Sequence, residues 1–122
     1  MTPVGVVSLT ADATLVVIEG VVGSHELDGV RAALGEACRQ PARRFVVDCT
    51  DAEIEDPDAV TAFYELAGIA RARDGVVAIV TGRDSPLRRM LDASGLAAAF
   101  SIYDGRRRAL DDLDLPGPAP AR

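Results

Sequence analysis

The sequence predicts an α/β domain whose mostly parallel sheet is opened by an N-terminal antiparallel hairpin, in the element order ββαβαβαβα. Three observations lead there. Two β-rich runs, residues 4–9 and 14–19, are separated only by Thr10-Ala11-Asp12-Ala13, a connection short enough for a hairpin. Later apolar runs at residues 45–47 and 76–80 are short, continuous and bounded by polar residues, as in strands covered on both faces. Between them lie segments with apolar residues at helical spacing, two of which begin with a capping residue followed by proline, Asp56-Pro57 and Ser85-Pro86.

After the hairpin, residues 20–24 read as a turn, with Ser24 or His25 leading into a helix that carries Leu27, Val30, Leu34, Ala37 and Cys38 on one face. Pro41 ends that region because the residue before a proline is pushed out of the α basin. Phe45, Val46 and Val47 form the next strand, and polar residues resume at Asp48 in an acidic turn that runs to Asp56. Asp56 as N-cap accepts from the free N–H groups of the first turn, and Pro57 supplies a suitable φ where its missing donor costs nothing. The following helix turns Val60, Phe63, Leu66, Ala67 and Ala70 inward and leaves Glu65, Arg71 and Arg73 to water, until Asp74-Gly75 stops it. A strand over 76–80 reaches Thr81-Gly82, and Ser85-Pro86 starts a helix with Leu87, Met90 and Leu91 inward that stops at Ser94-Gly95. A last strand at residues 100–102 precedes a helix over 106–113, with Ala109, Leu110 and Leu113 inward. Residues 1–115 are expected to form one domain, and residues 116–122, with Pro116, Pro118 and Pro120, a flexible tail.

The stretch from Val47 to Val60, VDCTDAEIEDPDAV, resembles the signature of STAS domains of the anti-anti-sigma factor type, which reads roughly LDLSGVTFIDSSGL. The frame fits without a gap: Asp48 falls on the strand-end Asp, Thr50 on a Ser, Ile54 on the aromatic or aliphatic position, and Asp56 on the Asp before the phosphorylated serine. A second stretch, SPLRRMLDASGL over residues 85–96, looks like the family's SPAVRRVLELTGL segment, and the likeness runs from about Val4 to Leu113. It implies a STAS fold and a protein that works by binding. In the family's mode the chain captures an anti-sigma factor of the serine-kinase type and so releases a sigma factor. The partner surface is then the rim carrying Asp56, Pro57, Asp58 and Thr61, with Ser24 and His25 beside it. Two departures stand out. Pro57 occupies the phosphorylation-equivalent position and has no hydroxyl, with Asp58 next and Ala59 in place of the Gly. Gly20-Val21-Val22-Gly23 stands where members often carry G-E-L-D, so an acid near the phosphorylation site is missing as well. The alternative is a scaffolding or ligand-sensing STAS module in a signalling assembly.

Composition excludes other classes. A net charge of −6 disfavours nucleic acid or an anionic membrane as partner, since both call for a clustered cationic face. The expected partner is an anti-sigma factor or other signalling protein, with a homodimer left open. The start lacks the basic residues and apolar core of a signal peptide and no run approaches a membrane span, so a cytoplasmic location is expected. Cys38 and Cys49 read as two buried thiols, not metal ligands. The acidic stretch lacks the glycine and glutamate of a calcium loop, and Asp48 with Thr81 imitates a receiver domain without its acidic pair or its lysine. Gly20-x-x-Gly23 is too common a spacing to mark a nucleotide site. With one histidine and no nucleophile elbow, no enzyme, cofactor or metal is expected. Arg106, Arg107 and Arg108 read as a solvated helix face.

Overall fold

The computed structural model describes residues 4–118, and Pro120 of the expected tail lies outside them. Strand β1 (Val4–Thr10) pairs antiparallel with β2 (Ala13–Ile18) through a tight turn, with an irregularity between Ser8 and Thr10. Strands β4 (Arg44–Asp48), β6 (Val76–Val80) and β7 (Ser101–Tyr103) add in parallel, giving a five-stranded sheet of order β1-β2-β4-β6-β7 with the hairpin at one edge. Both faces of the central strands are buried, which is why β4 and β6 are continuous apolar runs. On one face Val16, Ile18, Phe45, Val47 and Ile79 meet the helices α1 (Leu27–Arg39), α2 (Asp58–Ala72) and α3 (Pro86–Ser94). On the other, Leu15, Val46, Ala78 and Val80 are covered by Ala109 and Leu110 of α4 (Arg106–Asp112) and by Leu115.

Two short strands were not expected. Residues 20–24 were predicted as a turn, but β3 (Gly20–Val22) is a strand that pairs in parallel with β5 (Ala52–Ile54), inside what read as an acidic turn. The pair continues β2 and β4 beyond the sheet's carboxyl end. Val17 faces Asp48 in the main sheet and Gly20 faces Ala52 in the small one, so the β4–β5 segment has gained one residue. That extra residue, a bulge-like insertion, breaks the ladder and re-aims the chain. Three-residue strands carry too little periodicity to be seen in a sequence, and Gly20, with φ 87°, has the turn-like backbone its neighbours suggested.

Helix boundaries follow local chemistry. Helix α1 begins later than Ser24 or His25: residues 24–26 form turns, and Glu26 turns its carboxylate back to accept the Gly23 N–H at 2.9 Å. Gln40 is extended, with ψ 152°, as Pro41 demands. Helix α3 opens on Ser85, whose Oγ accepts the Arg88 N–H at 3.0 Å, and closes on Gly95 in the left-handed region at φ 74°. The last strand lies one residue later than predicted because residues 97–99 form a turn of 3₁₀ helix. Arg73, expected in water, instead donates to the carbonyls of Cys38, Gln40 and Ala42, satisfying orphan groups at and just beyond the end of α1. Cys49 is buried as expected, whereas Cys38 is only partly so.

Candidate functional site

The polypeptide crosses between layers at the carboxyl ends of the parallel strands, and it is there that β3 and β5 lift two segments into a rim. Because Val22 and Ile54 are opposite one another and the Glu55 N–H donates to the Val22 carbonyl at 2.9 Å, residues 23–26 and residues 55–58 leave the same end of the small sheet. Ser24 and His25 are exposed on the first segment; Pro57 and Asp58 are exposed on the second, with Asp56 half-buried. Thr61 is exposed on α2, about one turn beyond Pro57. Asp51, Glu53 and Glu55 are exposed along the same stretch, giving the rim an acidic surface.

The start of α2 follows the sequence reading to within one residue. Asp56 Oδ1 accepts the Asp58 N–H at 2.9 Å, and Pro57 already has helical angles, φ −59° and ψ −21°. Pro57 thus stands at the cap position, one residue later than expected, with α2 starting at Asp58, and the Asp56 carboxylate still satisfies the free N–H of that first residue. Ala59 and Val60 are buried immediately behind, so the exposed Pro57 and Asp58 sit on a rigid support.

Behind the rim lies a buried polar group. Asp48, at the end of β4, has a side chain only 5% exposed, on the sheet face opposite α2. Its Oδ1 accepts from the Thr50 N–H at 2.9 Å and the Thr50 hydroxyl at 2.5 Å, and its Oδ2 from Arg106 Nε at 2.6 Å. The carboxylate is thus satisfied by a local turn and a distant arginine. Thr50 was aligned with a family serine, and its hydroxyl is committed to this network. Arg106 corrects the solvated-face reading. A signal was present in the sequence: three arginines in a first helical turn oppose the helix dipole, so at least one calls for an acid elsewhere. Cys49, beside Asp48, is buried with its thiol pushed up, first by burial and then by the neighbouring carboxylate, which makes it unreactive.

Among the described residues no group of three or more His, Cys, Asp and Glu side chains is arranged to hold a metal, and no helix is long and apolar enough to cross a membrane. Nothing in the rim forms a nucleophile paired with a base; what it presents is surface, acidic and preorganised.

This arrangement is a STAS-type fold, a mixed sheet with an opening hairpin and a helix start presented at its carboxyl end. Solved structures have the same fold. The chain aligns with an anti-sigma factor antagonist from Mycobacterium paratuberculosis at TM-score 0.80 and 16% identity, over 93% of this chain and 95% of that one. SpoIIAA, an anti-sigma factor antagonist, aligns in its unphosphorylated form at TM-score 0.76 and 15% identity, over 92% of this chain and 96% of that one. A putative anti-sigma factor antagonist from Thermotoga maritima aligns at TM-score 0.75 and 13% identity, over 93% of this chain and 94% of that one. No family model and no curated protein matches the sequence.

Proposed function

We propose that the chain is a non-catalytic anti-sigma factor antagonist that captures a serine-kinase-type anti-sigma factor through the rim formed by Asp56, Pro57, Asp58 and Thr61, flanked by Ser24 and His25. The fold shared with anti-sigma factor antagonists supports the general role. The observation that carries the finer reading is Pro57, exposed immediately before α2 where the resemblance puts the phosphorylated serine. Proline has no hydroxyl to accept phosphate. The usual switch is absent at that position, and the protein binds constitutively, controlled by its amount.

Asp58 does not restore the switch. It carries one charge where phosphate would carry nearly two, and it lies in the first turn of α2, where the helix dipole favours a carboxylate. The acidic rim favours a basic partner surface over nucleic acid or membrane, in a single cytoplasmic domain. Affinity capture with the full chain, read by mass spectrometry, tests the role. Recovery of a kinase-fold anti-sigma factor supports it. Recovery of other STAS chains, or of a homodimer alone, favours a scaffolding module, and a small molecule that raises thermal stability favours a ligand sensor.

A further inference from the structure

A second feature at the carboxyl end of the sheet has the opposite charge from the rim. The ends of β6 and β7, adjacent parallel strands, open into a cavity of about 150 Å³ lined by Thr81, Arg83, Arg88, Ile102, Tyr103, Asp104 and Arg108. Open α/β sheets bind ligands outside the carboxyl ends of their strands. The floor is fixed: the Thr81 N–H donates to the Tyr103 carbonyl at 2.9 Å, and the buried Thr81 hydroxyl is 2.6 Å from Ser85 Oγ. Three arginines converge on this space against one aspartate, in a chain whose net charge is −6.

We propose that this cavity binds a phosphate group, either free or borne by a small phosphomonoester. The arginines are held loosely. Asp104 is shared, 3.3 Å from Arg83 and 3.9 Å from Arg108, whose side chains are 79% and 71% exposed. Arg88 pairs with Asp92, on its own helix, at 3.3 Å. Exposed pairs of this kind contribute little. A dianion offers each guanidinium the bidentate, doubly charged acceptor that a shared aspartate does not. A phosphate group fits the cavity, and any organic part projects past the exposed Arg83 and Arg108 into water. Asp104 sets the affinity, because it competes with the anion for both exposed arginines.

The proposal does not depend on the anti-sigma reading and is tested separately, by amide NMR titration of the full chain with inorganic phosphate and with methyl phosphate at ionic strength matched by sodium chloride. Saturable shifts confined to Gly82, Arg83, Arg88, Asp104, Arg108 and their neighbours are expected with phosphate. The double variant Arg83→Gln/Arg108→Gln, which alters only exposed side chains, is expected to weaken binding about tenfold or more through lost charge-assisted hydrogen bonds. Asp104→Asn is expected to tighten it about threefold or more, whereas Asp28→Asn, on the exposed face of α1, leaves it unchanged. Tighter binding of methyl phosphate than of inorganic phosphate identifies a phosphomonoester as the ligand, and the reverse identifies free phosphate. Non-saturating shifts shared with Arg31 and Arg71, or an affinity unchanged in the double variant, would overturn the proposal.

Discussion

Arg106 Nε donates to the carboxylate of Asp48 at 2.6 Å, joining the first residue of α4 to the last residue of β4 across 58 positions of chain. The pair fastens α4, which covers this face of the sheet, to the strand end from which the acidic rim rises. Arg106→Ala leaves a carboxylate 5% exposed without its cation. Removal of one partner from a buried pair costs about 3–5 kcal/mol. Because the arginine is itself 37% exposed, water reaches the gap and a smaller loss, about 2 kcal/mol, is expected from urea unfolding. A loss under about 0.5 kcal/mol would mean that Thr50 alone satisfies Asp48.

Two glycines should respond in opposite directions. A Cβ on Gly75 would lie 1.7 Å from the carbonyl oxygen of Arg43, which accepts the Val76 N–H, so Gly75→Ala must push apart the neighbouring starts of β4 and β6. A cost of about 3 kcal/mol or more is expected from thermal or chemical denaturation. Gly68, in α2, has open space where its Cβ would be, and Gly68→Ala should add about 0.5–1 kcal/mol through helix propensity. If both variants destabilise equally, the close approach of the Gly75 backbone to Arg43 is not what selects glycine there.

Stability should fall at both ends of the pH scale for identifiable reasons. Hydrogen bonds from Arg44 and Thr10 hold the Asp12 carboxyl down to about 2. Its contribution is complete above the unfolded value of about 4 and is lost as pH falls toward the folded value. At the alkaline end, burial and the hydrogen bond to Asp112 push the Tyr103 hydroxyl up to about 12. Its contribution is complete below the unfolded value of about 10 and fades as pH rises through the folded one. Thermal midpoints measured across pH should therefore drop below pH 4 and above pH 10. Tyr103→Phe should flatten the alkaline arm and Asp12→Asn the acid arm; unchanged arms in these variants would remove both assignments.

At the rim, Val60→Asp and Asp58→Ala separate support from contact. Val60 is 4% exposed behind the helix start, so an aspartate there buries an unpaired charge and should disrupt the fold locally or wholly, as circular dichroism and partner binding would report. Asp58 is exposed, and its removal should change partner affinity only modestly, by about threefold or less. Association should slow as salt screens the acidic surface. A tenfold or greater gain in affinity on Asp58→Ala, about 1.4 kcal/mol, would make the aspartate a permanent phosphate mimic.

The fold was legible wherever one residue pattern decided one element. The run Phe45-Val46-Val47, the cap-and-proline starts at Asp56 and Ser85, and Pro41 after the first helix each encode structure locally, and β4, α2, α3 and the end of α1 appear where they predict. Illegible were features that depend on residues far apart. β3 and β5 exist because the small sheet pairs Val22 with Ile54, and neither three-residue stretch is periodic enough to announce itself. Arg73 and Arg106 read as solvated because charge on a helix usually is, yet both reach groups more than thirty positions away. The rim's Asp56, Pro57 and Asp58 were visible as a helix start; the arginines at the ends of β6 and β7 were not, since nothing in their spacing shows that the strands bring them together.

The most direct test of constitutive binding is the dissociation constant of the full chain with a serine-kinase-type anti-sigma factor, measured before and after incubation with that kinase and ATP, with intact-mass analysis of the same samples. An unchanged constant and no added phosphate are predicted, while the Pro57→Ser variant should acquire phosphate and bind more weakly. Stoichiometric phosphate on Thr50 or Thr61 of the natural chain, accompanied by weaker binding, would contradict the account.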